Sequence, residues 1–257
     1  MKYRLTDEII TVGGLTLHRI QATKDFGDVH KGDLGGFVEN KNNLSHDGDA
    51  WVYGDARVYD DARVCDAAQV RDNASVYGNA EVSDNAQVSE RAIVGDYARI
   101  FDDAYISGKA KVIDYAQVCG CGKITETAHV YGNAFVCGRA EVRGIANVCG
   151  YAMVLDNAMI HGHADVSGNA LVAMDARVYD SAWVTGHARV YGEAQVFGNA
   201  KVYDSAQVCG NAKVYGDARV YGIARVGDIA RVNGIAKVHG NAKVCGDSIV
   251  YGEMKRG

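Results

Sequence analysis

Asn199-Ala200-Lys201-Val202-Tyr203-Asp204, Ser205-Ala206-Gln207-Val208-Cys209-Gly210 and Asn211-Ala212-Lys213-Val214-Tyr215-Gly216 are three consecutive copies of one six-residue unit. Its small position opens at Ala50 and recurs every six residues to Ser248, 34 units without an insertion or deletion. Only Gly122 and Ser248 replace Ala there, and the partner position is Val or Ile from Val52 to Val250. Alternation puts Ala and Val on one side of a short strand and the two variable residues on the other. The Gly or Asp that follows, with the next Asn or Asp, supplies a corner that tolerates positive φ. Strands this short are unstable alone, so they must stack. The spacing predicts an all-β chain, a single parallel β-helix of about 11 triangular coils of about 18 residues, roughly 50 Å long.

Outside that phase, residues 1–49 read as a cap and lead-in coil, 50–252 as the helix and 253–257 as a tail. Ile9-Ile10-Thr11-Val12-Gly13-Gly14-Leu15-Thr16-Leu17-His18 has the pattern of a β-hairpin with a two-glycine turn. A solenoid needs its first rung covered, because an open edge invites other strands. At the other end only charged Glu253, Lys255 and Arg256 would blunt the last coil, unless it pairs with another chain.

The composition excludes several classes. With 48% hydrophobic residues and no proline, the chain is neither disordered nor collagen-like. A formal charge of −5 argues against nucleic-acid binding by bulk charge. No apolar run is long enough for a signal peptide or a membrane span. Seven cysteines without paired spacing indicate a reducing, cytoplasmic setting and no metal site.

Units such as Val214-Tyr215-Gly216-Asp217-Ala218-Arg219 resemble the bacterial transferase hexapeptide motif, which implies the left-handed form of the β-helix. Asp25-Phe26-Gly27-Asp28-Val29, Gly32-Asp33-Leu34-Gly35-Gly36-Phe37-Val38, Asn43-Leu44-Ser45 and Gly48-Asp49-Ala50-Trp51-Val52-Tyr53 resemble the start of YdcK-like proteins. Those are often labelled acyltransferases, and similar chains occur in phages and prophages. The resemblance specifies fold far better than activity.

Because the phase never slips, a residue's number assigns it to one of three outer faces. The second face carries Phe101, Cys119, Phe135, Cys137, Met153, Leu155, Leu171 and Ala173, an apolar stretch where polar residues are expected. Arg63, Arg99, Arg189 and Arg225 rim it. An apolar centre with a charged rim is the pattern of an interaction surface. It predicts a homo-oligomer, and the resemblance adds that such β-helices are commonly trimers, with a dimer the other expectation. Cys119 and Cys137 should stack as neighbours in a packing role.

Tyrosines recur at one outward repeat position, and several follow a basic residue by two: Arg177/Tyr179, Arg189/Tyr191, Lys201/Tyr203, Lys213/Tyr215 and Arg219/Tyr221. Tyr suits strands, and basic stems pack along it, which is a sufficient structural reason for the pattern. The functional reading is a surface for a small anionic, nucleotide-like ligand held by charge and stacking. Corner acids Glu193, Asp204 and Asp217 oppose that field.

Acyl transfer is the rival reading that the resemblance brings, using an acyl-CoA such as acetyl-CoA and a His as general base. No loop interrupts the 34 units to enclose such a reaction. His187, beside the apolar face, is the best candidate base, followed by His161 and His163. A corner accepts many residue types, so each of these also has a purely structural reading. The sequence therefore favours a non-catalytic, self-associating scaffold or binding protein without a cofactor. An acyltransferase comes second and an end-to-end structural polymer third.

Overall fold

The computed structural model describes residues 1–254, with side chains through residue 252. The described backbone is all-β and forms a parallel β-solenoid. It divides into two compact units, Met1–Glu126 and Thr127–Gly257.

The first unit starts with the hairpin. Strand β1 (Tyr3–Val12) pairs antiparallel with β2 (Leu15–Ala22) across Gly13 and Gly14, which take φ of +57° and +91°. Two consecutive positive φ values match the twist of tight hairpins, so glycine is required there. Strand β3 (Leu34–Val38) pairs antiparallel with β2 and parallel with Arg57–Val58, joining the cap to the first coil. The lead-in coil is two residues longer than the later ones. Val38 opposes Val58 and Leu44 opposes Val64, whereas the pairs from Trp51 opposite Gln69 to Asn233 opposite Tyr251 are 18 apart, before a register shift sets Lys237 opposite Glu253. The extra pair lies in Ser45–Asp49, around Gly48 at φ +66°. Six-residue phasing thus starts where the sequence places it.

Polar side chains finish the exposed start of the ladder. Lys2 is fully buried, and its Nζ donates to the carbonyls of Ala50 at 2.7 Å and Gly48 at 3.2 Å. Tyr3 donates from its hydroxyl to the carbonyls of Leu44 and Lys41, and Asn43 from its amide to those of Asp60 and Ala62. These carbonyls have no strand above them, and unpaired buried carbonyls are costly. Burial lowers the Lys2 ammonium to about 8 and pushes the Tyr3 phenol up to about 12.

Within each unit the hexapeptides stack in register as three ladders. The first face of the first unit runs through Arg57, Ser75, Ile93 and Lys111, the second through Arg63, Glu81, Arg99 and Gln117, and the third through Trp51, Gln69, Gln87 and Tyr105. In the second unit the corresponding ladders include Asp165, Trp183, Lys201 and Arg219; Phe135, Met153, Leu171 and Arg189; and Met159, Arg177, Gln195 and Lys213. Ala and Val at the inward positions are almost all inaccessible to solvent, which is where the apolar burial that stabilises the fold is concentrated.

The corners follow the expected rule. Every sixth residue from Gly48 to Gly252 has positive φ, most between +55° and +79°. Glycine enters that region without steric cost, and Asp is the next best choice because its short side chain bonds locally. Here the carboxylate of Asp102 accepts the Gly120 N–H at 2.9 Å, one rung on, and Asp72 does the same for Glu90.

The last described strand, Ile249–Met254, pairs with Arg231–Val238, so strand structure continues into the stretch expected as a tail. The expected charge blunting by Glu253, Lys255 and Arg256 lies outside the residues whose side chains are described.

Candidate functional site

The ten basic and tyrosine residues singled out in the sequence do not form one site. Lys201, Tyr203, Arg219 and Tyr221 lie on the first face, Arg189 and Tyr191 on the second, and Arg177, Tyr179, Lys213 and Tyr215 on the third. Equal repeat position guarantees an outward direction but not a shared face, since neighbouring hexapeptides point to different sides.

On the third face the rings of His161, Tyr179, Phe197 and Tyr215 stack successively with centroids 4.9 to 5.0 Å apart. The Asn233 amide donates to the Tyr215 hydroxyl at 2.9 Å and ends the row. A continuous row of equal side chains makes a flush surface. Burial, followed by Arg143, holds His161 below the usual imidazole range.

The first face of the second unit is different, because side-chain size changes along it. Small Ser167 and Thr185 precede Tyr203, Tyr221 and His239, and Ser167 donates to the Thr185 hydroxyl at 3.1 Å. Tyr203 stacks on Tyr221 at 4.9 Å, and Tyr221 on His239 at 5.0 Å. Where the small residues meet the aromatic row, a step forms. In the adjacent column Trp183 stands 49% exposed with the Lys201 ammonium 4.9 Å from its ring. The result is an open depression of about 490 Å³ lined by Trp183, Thr185, Lys201, Tyr203, Asp204 and Arg219. Burial and then neighbouring Tyr221 hold the Tyr203 phenol above its usual range, so it stays a neutral donor at physiological pH. The depression offers a large π face, two cations and two hydroxyls, with Asp204 as the opposing charge. Trp183 was not among the residues picked from the sequence. Its signal was present, because it is one of two tryptophans in the chain, both at the same outward repeat position.

The second-face row is only partly available as an interface. In the second unit Phe135, Met153 and Leu171 stack in register, with Met153 40% exposed and Phe135, Leu155, Leu171 and Cys137 half-buried. Phe101 is half-buried in the first unit. Cys119 and Ala173 correct the expectation, being 3% and 8% exposed. Cys119 is moreover disulfide-bonded, not the free thiol in a packing role that the sequence suggests.

His187 and His163 are exposed at corners. Their backbone N–H groups bond Asp204 and Asp180, but no hydrogen bond or ion pair orients either ring among the described residues. Neither sits in the depression. His161 is engaged in the aromatic row, so the two neighbours in sequence do not act on one point. Among the described residues no three His, Cys, Asp or Glu side chains converge as metal ligands, and no helix is long and apolar enough to cross a membrane.

Fold and surface together define a β-solenoid repeat protein. In agreement, the model of the YdcK β-solenoid repeat matches residues 50–66, 194–210 and 206–222. The last two segments run through Lys201, Tyr203 and Arg219. No curated protein matches the chain.

Proposed function

We propose that this chain is a non-catalytic binding scaffold that takes a small anionic, ring-bearing ligand at the Trp183–Tyr203 depression. The observation that carries this reading is the coincidence of an exposed indole with Lys201 and Arg219 on one ladder, beside the step at Thr185. A planar ring stacks on Trp183 and displaces the Lys201 ammonium onto the anionic group, while Arg219 supplies a second charge-assisted donor. Thr185 and Tyr203 offer hydroxyls for orientation. An open depression suits reversible capture and leaves a bound acyl group exposed to water, which favours binding over transfer.

The chain has two tryptophans, and Trp51 is 1% exposed, so quenching of indole fluorescence on titration with a nucleoside monophosphate reports on Trp183. Saturable quenching that weakens with salt is the expected result, lost in Lys201→Glu; in Trp183→Phe, which removes the reporter, binding followed by calorimetry should weaken. Calorimetric silence toward nucleoside mono- and triphosphates at millimolar concentration would sink the reading. In the same reading copies associate through Phe135, Met153 and Leu171. If Phe135→Asp leaves the sedimenting mass of an oligomeric wild type unchanged, that surface is not used.

A further inference from the structure

The ladder that holds Trp183 continues past the depression. After Trp183 it carries Lys201, Arg219 and Lys237, and among the described residues no other ladder has three basic residues in succession. At roughly 4.8 Å per rung the three cations span about 10 Å along the solenoid. The rung before Trp183 holds Asp165. The column is therefore polar, with an acid on one side of the indole and three cations on the other. A ring stacked on Trp183 has its anionic part drawn toward Lys201 and repelled from Asp165.

An aromatic row runs alongside these cations. Tyr203, Tyr221 and His239 stand two residues after Lys201, Arg219 and Lys237, and their rings stack at 4.9 and 5.0 Å. The row walls the same strip and adds two phenol hydroxyls as donors. The Tyr203 phenol, held above its usual range first by burial, is pulled back by Arg219 and Lys237, so both charges reach the depression. The acids nearby are engaged at their own corners. The Asp204 carboxylate accepts the Gly222 N–H at 2.9 Å, and the Asp217 carboxylate accepts the Asn199 amide at 3.1 Å. Glu253, the register partner of Lys237, closes the basic run.

A single phosphate engages the near end of such a column. A chain of phosphates brings charge to each rung in turn, which matches cations set at equal intervals. Building on ligand binding at the Trp183 depression, we propose that its ligand is a nucleoside polyphosphate, with the base on the indole and the phosphates laid along Lys201, Arg219 and Lys237. The base end faces Asp165, and the terminal phosphate lies toward Lys237.

The test is calorimetric titration with adenosine mono-, di- and triphosphate and with inorganic tripolyphosphate, in EDTA so that no divalent cation masks the phosphates. Affinity should rise about threefold with each phosphate, the increment of an exposed charge pair. Inorganic tripolyphosphate should bind about tenfold more weakly than adenosine triphosphate, because it forgoes stacking. Arg219→Gln should reduce the triphosphate-to-monophosphate ratio from about tenfold to about threefold, and Lys237→Gln should bring the triphosphate-to-diphosphate ratio to about one. Should either variant lose its circular-dichroism spectrum, the wild-type series decides alone. Equal affinity for mono- and triphosphate overturns the polyphosphate assignment and leaves the simpler ring-and-anion reading standing. Folded variants that keep the wild-type ratios, or tripolyphosphate that binds as tightly as the nucleotide, overturn it too. Silence toward every nucleotide removes both readings together.

Discussion

The two units solve one backbone problem with different chemistry. Between residues 54 and 126, nine of thirteen positive-φ corners are Asp or Glu and the rest glycine. Between 132 and 252, sixteen of twenty-one are glycine, four are Asp and one is Met174. Glycine reaches that region freely but loses more chain entropy on folding, whereas Asp is strained there and recovers the cost through its hydrogen bond to the next rung. Asp66 caps Asp84, which caps Asp102, which caps Gly120. The difference reaches past stability. Acid corners leave the first unit negative, while glycine corners let the outward Lys and Arg of the second unit set its surface charge. The candidate ligand site lies in the glycine-cornered unit.

The sharpest break comes from a β-branched residue at a glycine corner. A Cβ on Gly138 would lie 2.8 Å from the Asp156 backbone nitrogen, and its φ is +79°. Gly138→Val should cost about 3 kcal/mol or more by denaturant unfolding. Gly138→Asp should cost far less, because its carboxylate can cap the Asp156 N–H as Asp66 caps Asp84. Equal losses for the two would show that the corner rejects any side chain.

Next comes the cap of the first unit. Lys2 is lowered to about 8 by burial, so in the unfolded chain it holds its proton to higher pH than in the fold. Its contribution therefore rises as pH climbs from about 8 to 10.5. Tyr3, raised to about 12, works oppositely: its contribution is complete below pH 10 and fades toward 12. Burial also pushes the Cys65 thiol up to about 12, and that opposes the Lys2 rise from pH 9. The difference between wild type and Lys2→Met isolates the lysine: thermal melts should show it growing by about 2 kcal/mol from pH 8 to 10.5, after allowance for solvent screening, and a difference that stays flat would place the source elsewhere.

Removing an acid corner is milder. Asp102→Ala loses both the cap and the tolerance for positive φ, for about 1.5 kcal/mol, whereas Asp102→Gly should fall within about 0.5 kcal/mol of wild type. A costly glycine variant would mean the carboxylate matters more than the conformation. Smallest is Met174, 51% exposed at φ +62°, where nothing in the structure accounts for methionine. Met174→Gly should stabilise the chain by up to about 1 kcal/mol, seen as a higher melting temperature.

Much of this was legible beforehand. Ala50 through Val250 alternate without a slip, and the hexapeptide strands pair with a partner 18 residues away until the shift between Asn233 and Lys237 in the last pair. The two-glycine hairpin stands where Gly13-Gly14 put it. What misled was treating every outward position as surface. Trp51 is outward by phase but 1% exposed, because Phe26 and Tyr3 of the cap pack against its ring at 5.3 and 6.2 Å. Lys2 reads as a solvated charge and is instead a buried cap on carbonyls about 48 residues away. Pairing each tyrosine with the basic residue before it grouped neighbours in sequence, while the depression joins Trp183 to Tyr203 across a rung.

By itself the sequence determined the period, the inward residues and the corner conformations, because these follow from sterics within six residues. Only the tertiary structure decided which outward side chains are covered, which stand as walls and which leave a floor. Those depend on the size of the residue one coil away and on where the non-repeating segment docks, and neither is a local property of the chain.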